Sequence, residues 1–337
     1  MANPFADIVL TEGLHEHAAA IAWRQLHGRS SVPDSIQILK YKRKSAVYRL
    51  NGAGPGGTPV IAKKCAQATG LIEQIVYEEV LPHLPMRSLR CYGLLPESTG
   101  GFCWLFLEDA LGDQYSPQNS RHRALAARWL SRLHLAALPD SLKARLPNRG
   151  LPYYFQLLQE SRFILQDNLH RNSELLPEDA AVLSKTLAYC DLLDAHWGAI
   201  EAIQKAMPHA AVHGDFVIKN VRIRDRAAEP ALLVFDWELS GWGVPGTDLA
   251  QFVGRVASPD LRVYYEVLKH KYPELDMHTL ESVSACGNLL RLVDDLTWAT
   301  SLLEFVPHMF LIKPIATLQV YEPRLAKALS IFGWGSA

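Results

Sequence analysis

The hydrophobic period changes once along this chain, and the change divides it. From about Ser35 to Leu107, apolar positions alternate with polar ones in short runs broken by turns, the pattern of strands that bury one face. Ile36 and Ile38 open the series, and Ala46–Leu50, Val60–Lys63, Cys91–Leu95 and Phe102–Leu107 complete a set of about five strands. One helix interrupts them over about Gly70–Leu81, with Leu71, Ile75 and Glu78–Val80 near helical spacing. A further helix, Glu16–His27, is expected to pack on the same part. A five-stranded antiparallel sheet with one helix predicts a small α+β domain over residues 1–109. After Asp109 the period lengthens. Ala126, Leu130, Leu133 and Ala137 form one stripe on His122–Leu138, and helical patterns follow at Tyr153–Leu169 and Pro177–Met207. A short β-rich island spans His209–Asp236 before helices return, so residues 110–337 are expected to form a larger, mainly helical domain.

Charge and composition narrow the function classes. In 337 residues, 34 Lys and Arg stand against 35 Asp and Glu, which leaves no overall field for nucleic acid or an anionic membrane surface. No apolar run approaches the ~18 residues that span a bilayer, and the start, MANPFADIVLTEG, lacks the basic and apolar regions of a signal peptide. The five cysteines are scattered without a C-x-x-C pair, which argues against a zinc site or a disulfide framework. A cytoplasmic protein without an evident partner protein is expected. Gly52-Ala-Gly54-Pro-Gly-Gly57 satisfies G-x-G-x-x-G, but a dinucleotide fingerprint must open a helix. Here a strand follows, so the segment reads as a hairpin connection.

The chemistry concentrates in His213-Gly-Asp215-Phe-Val-Ile-Lys-Asn220, Leu232-Leu-Val-Phe-Asp236-Trp-Glu238 and Gly246-Thr-Asp248-Leu-Ala250. Val221–Ile223 and Leu232–Phe235 can pair as a hairpin around the turn Asp225–Pro230, which returns Asp236 beside Asn220. An amide oxygen and a carboxylate side by side suit Mg²⁺, a hard ion that completes its shell with phosphate and water. This set resembles the catalytic core of the aminoglycoside phosphotransferase and choline kinase group, a branch of the protein-kinase-like fold. Its H-G-D-x-x-x-x-N loop parallels the kinase catalytic loop, and its D-W-E parallels D-F-G. The resemblance implies a bilobal fold and a Mg-ATP-dependent transfer to a hydroxyl of a small molecule, with GTP as an alternative donor.

Residue by residue, the resemblance implies that Asp215 is the base that orients the acceptor hydroxyl, and that Asn220 and Asp236 hold magnesium. Asp248 would brace the catalytic loop or cap a helix over Leu249–Arg255, and His213 would pack beneath the loop. Val60-Ile-Ala-Lys63 is similar to the lysine strand of kinases, and Lys63 is favoured over Lys64 because only one can face the nucleotide. Its ionic partner is expected at Glu78, ahead of Glu79. The turn Lys42-Arg43-Lys44-Ser45 would cover the phosphates, with Lys42 and Ser45 contributing, or is an exposed basic hairpin. Leu107, Glu108 and Asp109 would form the connector against adenine. For the acceptor pocket, Trp242 and Asp294, Asp295 and Trp298, with Glu304 further on, suit a cationic aminoglycoside- or amino alcohol-like acceptor or a sugar. The alternative is that these acids are solvated and the tryptophans are core. A catalytically silent nucleotide-binding module and a protein Ser/Thr kinase remain as competing readings; the complete Asp/Asn/Asp set and the missing A-P-E weigh against them.

Overall fold

The computed structural model describes residues 8–28, 32–42, 44–225, 230–303 and 307–335. Arg43, Glu304 and residues 226–229 of the turn before Pro230 lie outside the described residues. Six strands, β1 (Val9–Leu10), β2 (Ser35–Lys42), β3 (Ser45–Asn51), β4 (Val60–Ala66), β5 (Cys91–Pro96) and β6 (Phe102–Glu108), form an antiparallel sheet ordered β1-β2-β3-β4-β6-β5. Five of them are the strands expected from alternation. The sixth, β1, has two residues and pairs Val9 with Gln37 and Leu10 with Ile36, too short a run to carry a period of its own. Helix α1 (Ala18–His27) presents Ala19, Ala20 and Trp23 to a core of Ile36, Leu50 and Phe106. Helix α2 (Gln67–Ile75) begins where β4 ends and continues through a wide turn, Val76–Val80.

Strand β7 (Asp113–Gln114) precedes helices α3 (Ser120–His134) and α4 (Asp140–Lys143), strand β8 (Asn148–Arg149), and helices α5 (Leu151–Arg171), α6 (Pro177–Ala195) and α7 (Trp197–Gln204). The β-rich island holds β9 (Ala210–Val212), β10 (Val221–Arg224), β11 (Ala231–Val234) and β12 (Gly241–Gly243). Helices α8 (Leu261–Leu268), α9 (Met277–Thr300) and α10 (His308–Ser330) complete the chain. Leu158 and Leu165 of α5, Leu183 of α6, Leu289 and Leu296 of α9 and Leu318 of α10 are wholly buried in one apolar cluster. None of the helices among the described residues is long and apolar enough to cross a membrane.

The chain does not divide by a single cut after Asp109. One compact unit runs through Tyr115 and takes in Ala137–Leu146 and Lys219–Ser240; the other holds Ser116–Ala136, Pro147–Ile218 and the residues from Gly241 onward. Strand pairing explains why the first unit reaches into the later sequence: β10 lies between β7 and β11, joined to both by antiparallel ladders. A change of hydrophobic period marks where helices begin, and it does not see a hairpin that returns from a hundred residues away.

Candidate active site

In the first unit, a buried lysine gathers three carboxylates. Lys63 leaves β4 and is 8% exposed; its Nζ donates to Glu73 Oε1 at 2.6 Å and to Asp236 Oδ1, and lies 3.9 Å from Glu238. Burial alone would lower the lysine's pKa, but the carboxylates of Glu73, Asp236 and Glu238 outweigh it and raise it, so the ammonium stays charged. Burial pushes Glu73 up to about 7 against the pull of Lys63. Asp236 would also rise with burial, yet Lys63, Lys219 and Lys40 bring its pKa below the usual carboxylate value. Lys64, one residue on, points the other way: its Nζ meets Glu97 Oε1 at 2.7 Å and lies over the rings of Phe102 and Trp104.

The partner of Lys63 is thus Glu73, not Glu78. Glu73 shares the inward face of its helix with Gly70, Val76, Tyr77 and Val80, one and two turns away, and is fully buried. Glu78 sits on the outer face and accepts from Gln74 at 3.1 Å, and Glu79 pairs with Arg145. An acid inside an apolar stripe must meet a cation, and that signal singles out Glu73 in the sequence. Glu73→Gln is therefore expected to lower turnover roughly 10²-fold by releasing Lys63. Glu78→Gln should leave it within about two-fold, since an exposed charge is worth little. Steady-state rates of both variants check the assignment, and equal losses would overturn it.

The predicted hairpin is present. Val221 pairs with Val234 and Ile223 with Leu232, and Phe235 N–H donates to the Asn220 carbonyl at 3.1 Å. Asp236 follows at φ +70°, in the left-handed region that a non-glycine residue adopts at a cost. Trp237 beside it is buried edge-on to Tyr77 at 6.5 Å between centroids. Asn220 is 2% exposed, and no group of three or more His, Cys, Asp or Glu side chains forms a metal cluster among the described residues. One amide oxygen and one carboxylate on segments tied together by the backbone fit an ion that takes its other ligands from phosphate and water.

A cavity of about 630 Å³ in the same unit is large enough for a nucleotide. Val47, Ile61, Leu89 and Leu107 give it apolar walls, and Lys40, Lys42, Lys63, Lys219 and Asp236 line it with charge. The expected connector, Leu107, Glu108 and Asp109, lines the cavity with all three residues, and its two carboxylates are held in place by hydrogen bonds. Glu108 Oε1 accepts from Arg224 at 2.6 Å and Asp109 accepts from Arg49 and from the Leu111 N–H. Ser45 and Lys42 pair at the end of the β2–β3 hairpin; Lys42 lines the cavity and Ser45 is not among its lining residues. Lys40, which alternation places on the same strand two residues earlier, also lines the cavity. Burial lowers its pKa, and Asp236 and Glu238 act against that.

In the second unit, Asp248 organises the turn that carries Asp215. Asp248 is buried and accepts from His213 N–H at 2.7 Å and Gly214 N–H at 2.9 Å, with His134 Nε2 at 3.3 Å. No helix follows it over Leu249–Arg255, so its role is with the turn and not as a cap. His213 is fully buried and its Nδ1 accepts from the Asp215 N–H at 3.2 Å. A group that the sequence did not reveal is Arg291 of α9. Its guanidinium donates to Asp215 Oδ1 at 2.7 Å and to the Gly214 carbonyl, while its buried Nε has no hydrogen-bond partner among the described residues. Asp294 lies 3.8 Å from Arg291, one turn along the same helix. Burial pushes Asp294 up to about 6 against Arg291 and Arg149, and burial also raises Asp295. Both acids of the expected acceptor pocket act on Arg291 through their charge, and both remain partly exposed. Trp298 is half exposed on the same helix, and Trp242 is held in β12, its N–H donating to Pro147 at 2.8 Å.

The family model described as "Phosphotransferase enzyme family" matches residues 44–280. Curated proteins offer no sequence match. Among solved structures, the GDP and kanamycin complex of APH(2")-IIia is similar with a TM-score of 0.62 at 12% identity, covering 90% of this chain and 97% of that one. An ethanolamine kinase of Plasmodium vivax has a TM-score of 0.57 at 15% identity, covering 87% and 84%. A choline kinase from Cryptosporidium parvum Iowa II has 0.55 at 11%, covering 88% and 90%. At such identities these likenesses establish the fold alone, which is protein-kinase-like.

Proposed function

The chain belongs to the phosphotransferase enzyme family, and from that premise we propose that it moves the γ-phosphoryl group of Mg-ATP to a hydroxyl of a small molecule. The observation that carries the reading is the Lys63–Glu73–Asp236 constellation on the wall of a nucleotide-sized cavity. Lys63 would draw the phosphates' negative charge, with Lys40 and Lys42 beside it, and the apolar walls around Ile61 and Leu107 would hold the base. Asn220 and Asp236 would hold magnesium, which when bound neutralises charge on the phosphate oxygens. The acceptor oxygen then forms its bond to γ-phosphorus as the bond to the β-phosphate oxygen breaks, and ADP leaves. Asp215 orients the hydroxyl and takes its proton late in that displacement. GTP is the alternative donor on the same residues, and GDP is the nucleotide in the first-named similar structure.

Five scattered cysteines without a C-x-x-C pair suit a reducing cytoplasm. The test is nucleotide consumption by the purified chain with Mg-ATP or Mg-GTP and panels of amino alcohols, aminoglycosides, sugars and hydroxy acids, with a generic protein as a further acceptor. Transfer to a small molecule that disappears in Asp236→Asn is expected. Phosphate appearing on the protein panel alone, or tight nucleotide binding with no transfer to anything, would overturn the proposal.

A further inference from the structure

A second cavity, of about 540 Å³, lies wholly within the helical unit. Its walls are one face of α9, one face of α10, and the strap Gln251–Gly254. The polar groups that it presents are mostly donors. Asn288 is 8% exposed; its Oδ1 already accepts from the Gln251 N–H at 2.8 Å, which turns the amide nitrogen of the same side chain into the group left for a ligand. Arg324 and Lys327 stand one turn apart on α10 and both line the cavity. Arg324 lies 5.7 Å from the Tyr321 ring and acts on Asp295 through its charge, and neither cation is in a salt bridge among the described residues. Among the described residues one acid, Glu281, lines the cavity; it is exposed, as is Lys327, and Arg324 is half-buried. Phe252, Ala285 and Ile331 supply apolar surface around these donors.

The helix face that borders the cavity also carries the side chain that holds Asp215. Glu281, Ser284, Asn288, Arg291 and Asp295 recur at three and four along α9, so they share one face. Asn288 borders the cavity, and Arg291, about 4.5 Å further along the helix axis, holds Asp215 and carries the orphaned Nε donor. The free amide nitrogen of Asn288 and two cations outside any salt bridge among the described residues, beside the helix face that holds Asp215, call for a ligand rich in oxygen and negative charge. We infer that this cavity seats the acceptor, and that the acceptor is a small hydroxylated anion whose carboxylate or phosphate lies against Asn288, Arg324 and Lys327 while its hydroxyl reaches Asp215. The inference rests on the phosphotransferase reading for the hydroxyl's role, but the anion site stands on the cavity's own donors. Asp294 and Asp295 act on the buried Arg291 through their charge, so the acidity of α9 is already answered in part by a cation.

Calorimetric titration of the full chain separates the two readings, with four probes of similar size: 4-hydroxybutanoate, glycerol 3-phosphate, glycerol and 4-aminobutan-1-ol. At least one anion should bind, and the neutral and amine probes at least ten-fold more weakly; which anion binds tells carboxylate from phosphate. Arg324→Gln with Lys327→Gln should weaken the anion at least ten-fold with the melting temperature held. Asn288→Asp, which keeps the acceptor for Gln251 N–H and reverses the free end, should do the same. No anion binding, preference for the amine or neutral probe, or undiminished affinity in both variants would overturn the inference. Anion binding without phosphoryl transfer sinks the proposed reaction and leaves this site standing. Transfer to amines or neutral sugars, unaffected by the Arg324/Lys327 variant, does the reverse.

Discussion

Asp215→Asn is expected to cut phosphoryl transfer roughly 10³-fold while nucleotide affinity stays within about two-fold. The two halves of that expectation have separate causes. Asparagine keeps the shape of the side chain and an Oδ1 that still accepts from Arg291, so the turn with His213 and Gly214 retains its contacts. What it loses is the ability to take a proton and the negative charge that draws the acceptor hydroxyl into line. The nucleotide cavity is lined by the other compact unit, by Lys40, Lys63 and Asp236 among others, and Asp215 is not one of its walls. Single-turnover rates with saturating nucleotide, and ADP titration on the same sample, give the two numbers. A fall of less than ten-fold would place the proton acceptor elsewhere, and a loss of ADP affinity would show that Asp215 serves the nucleotide.

How far the sequence reaches depends on whether the informative contact is local. Alternation alone places Lys63 and Lys64 on opposite faces of β4, and the structure puts their partners, Glu73 and Glu97, on opposite sides accordingly. The β10–β11 hairpin is legible for the same reason: two short apolar runs and a turn determine their own register. The glycine-rich segment after β3 is a connection to β4, as the absence of a following helix requires. Glu73 was within reach, because its helix buries Gly70, Val76, Tyr77 and Val80 on one side and Glu73 falls among them. Glu78 falls on the exposed side of the same turn, where it accepts from Gln74 of its own helix. Arg291 is different in kind. It lies 76 residues from Asp215, on a helix whose apolar pattern says only that it is buried, and no spacing rule names the loop that it will meet. Nor does periodicity reveal that an arginine is left with an unpaired buried Nε, since that depends on every neighbour at once.

The largest loss of stability is expected from Asp248→Ala. Removing that carboxylate strips the acceptor from two buried backbone donors, His213 N–H and Gly214 N–H, and from His134, whose other nitrogen is fixed to the Tyr264 hydroxyl at 2.8 Å. Solvent cannot replace it, because Asp248, His213 and Tyr264 are 2% exposed or less. Breaking a buried charged network from one side typically costs about 3–5 kcal/mol, against about 1 kcal/mol for an ordinary hydrogen bond. Urea unfolding at pH 7 should therefore show a fall several-fold larger than that of an exposed control such as Asp140→Ala, whose carboxylate lies outside the fold. The effect carries a pH signature. Burial would raise the Asp248 pKa, but the hydrogen bond from His134 and the charges of His134 and His213 bring it below the usual carboxylate value. A carboxylate with a depressed folded pKa contributes its stability above the unfolded value and loses it as pH falls through the folded one. The gap between wild type and Asp248→Ala should then hold from neutral pH down to about pH 4 and shrink below it. A gap of under 1 kcal/mol at pH 7 would mean that the turn carrying Asp215 is braced by something other than Asp248, with Arg291 the remaining side chain that grips it from α9.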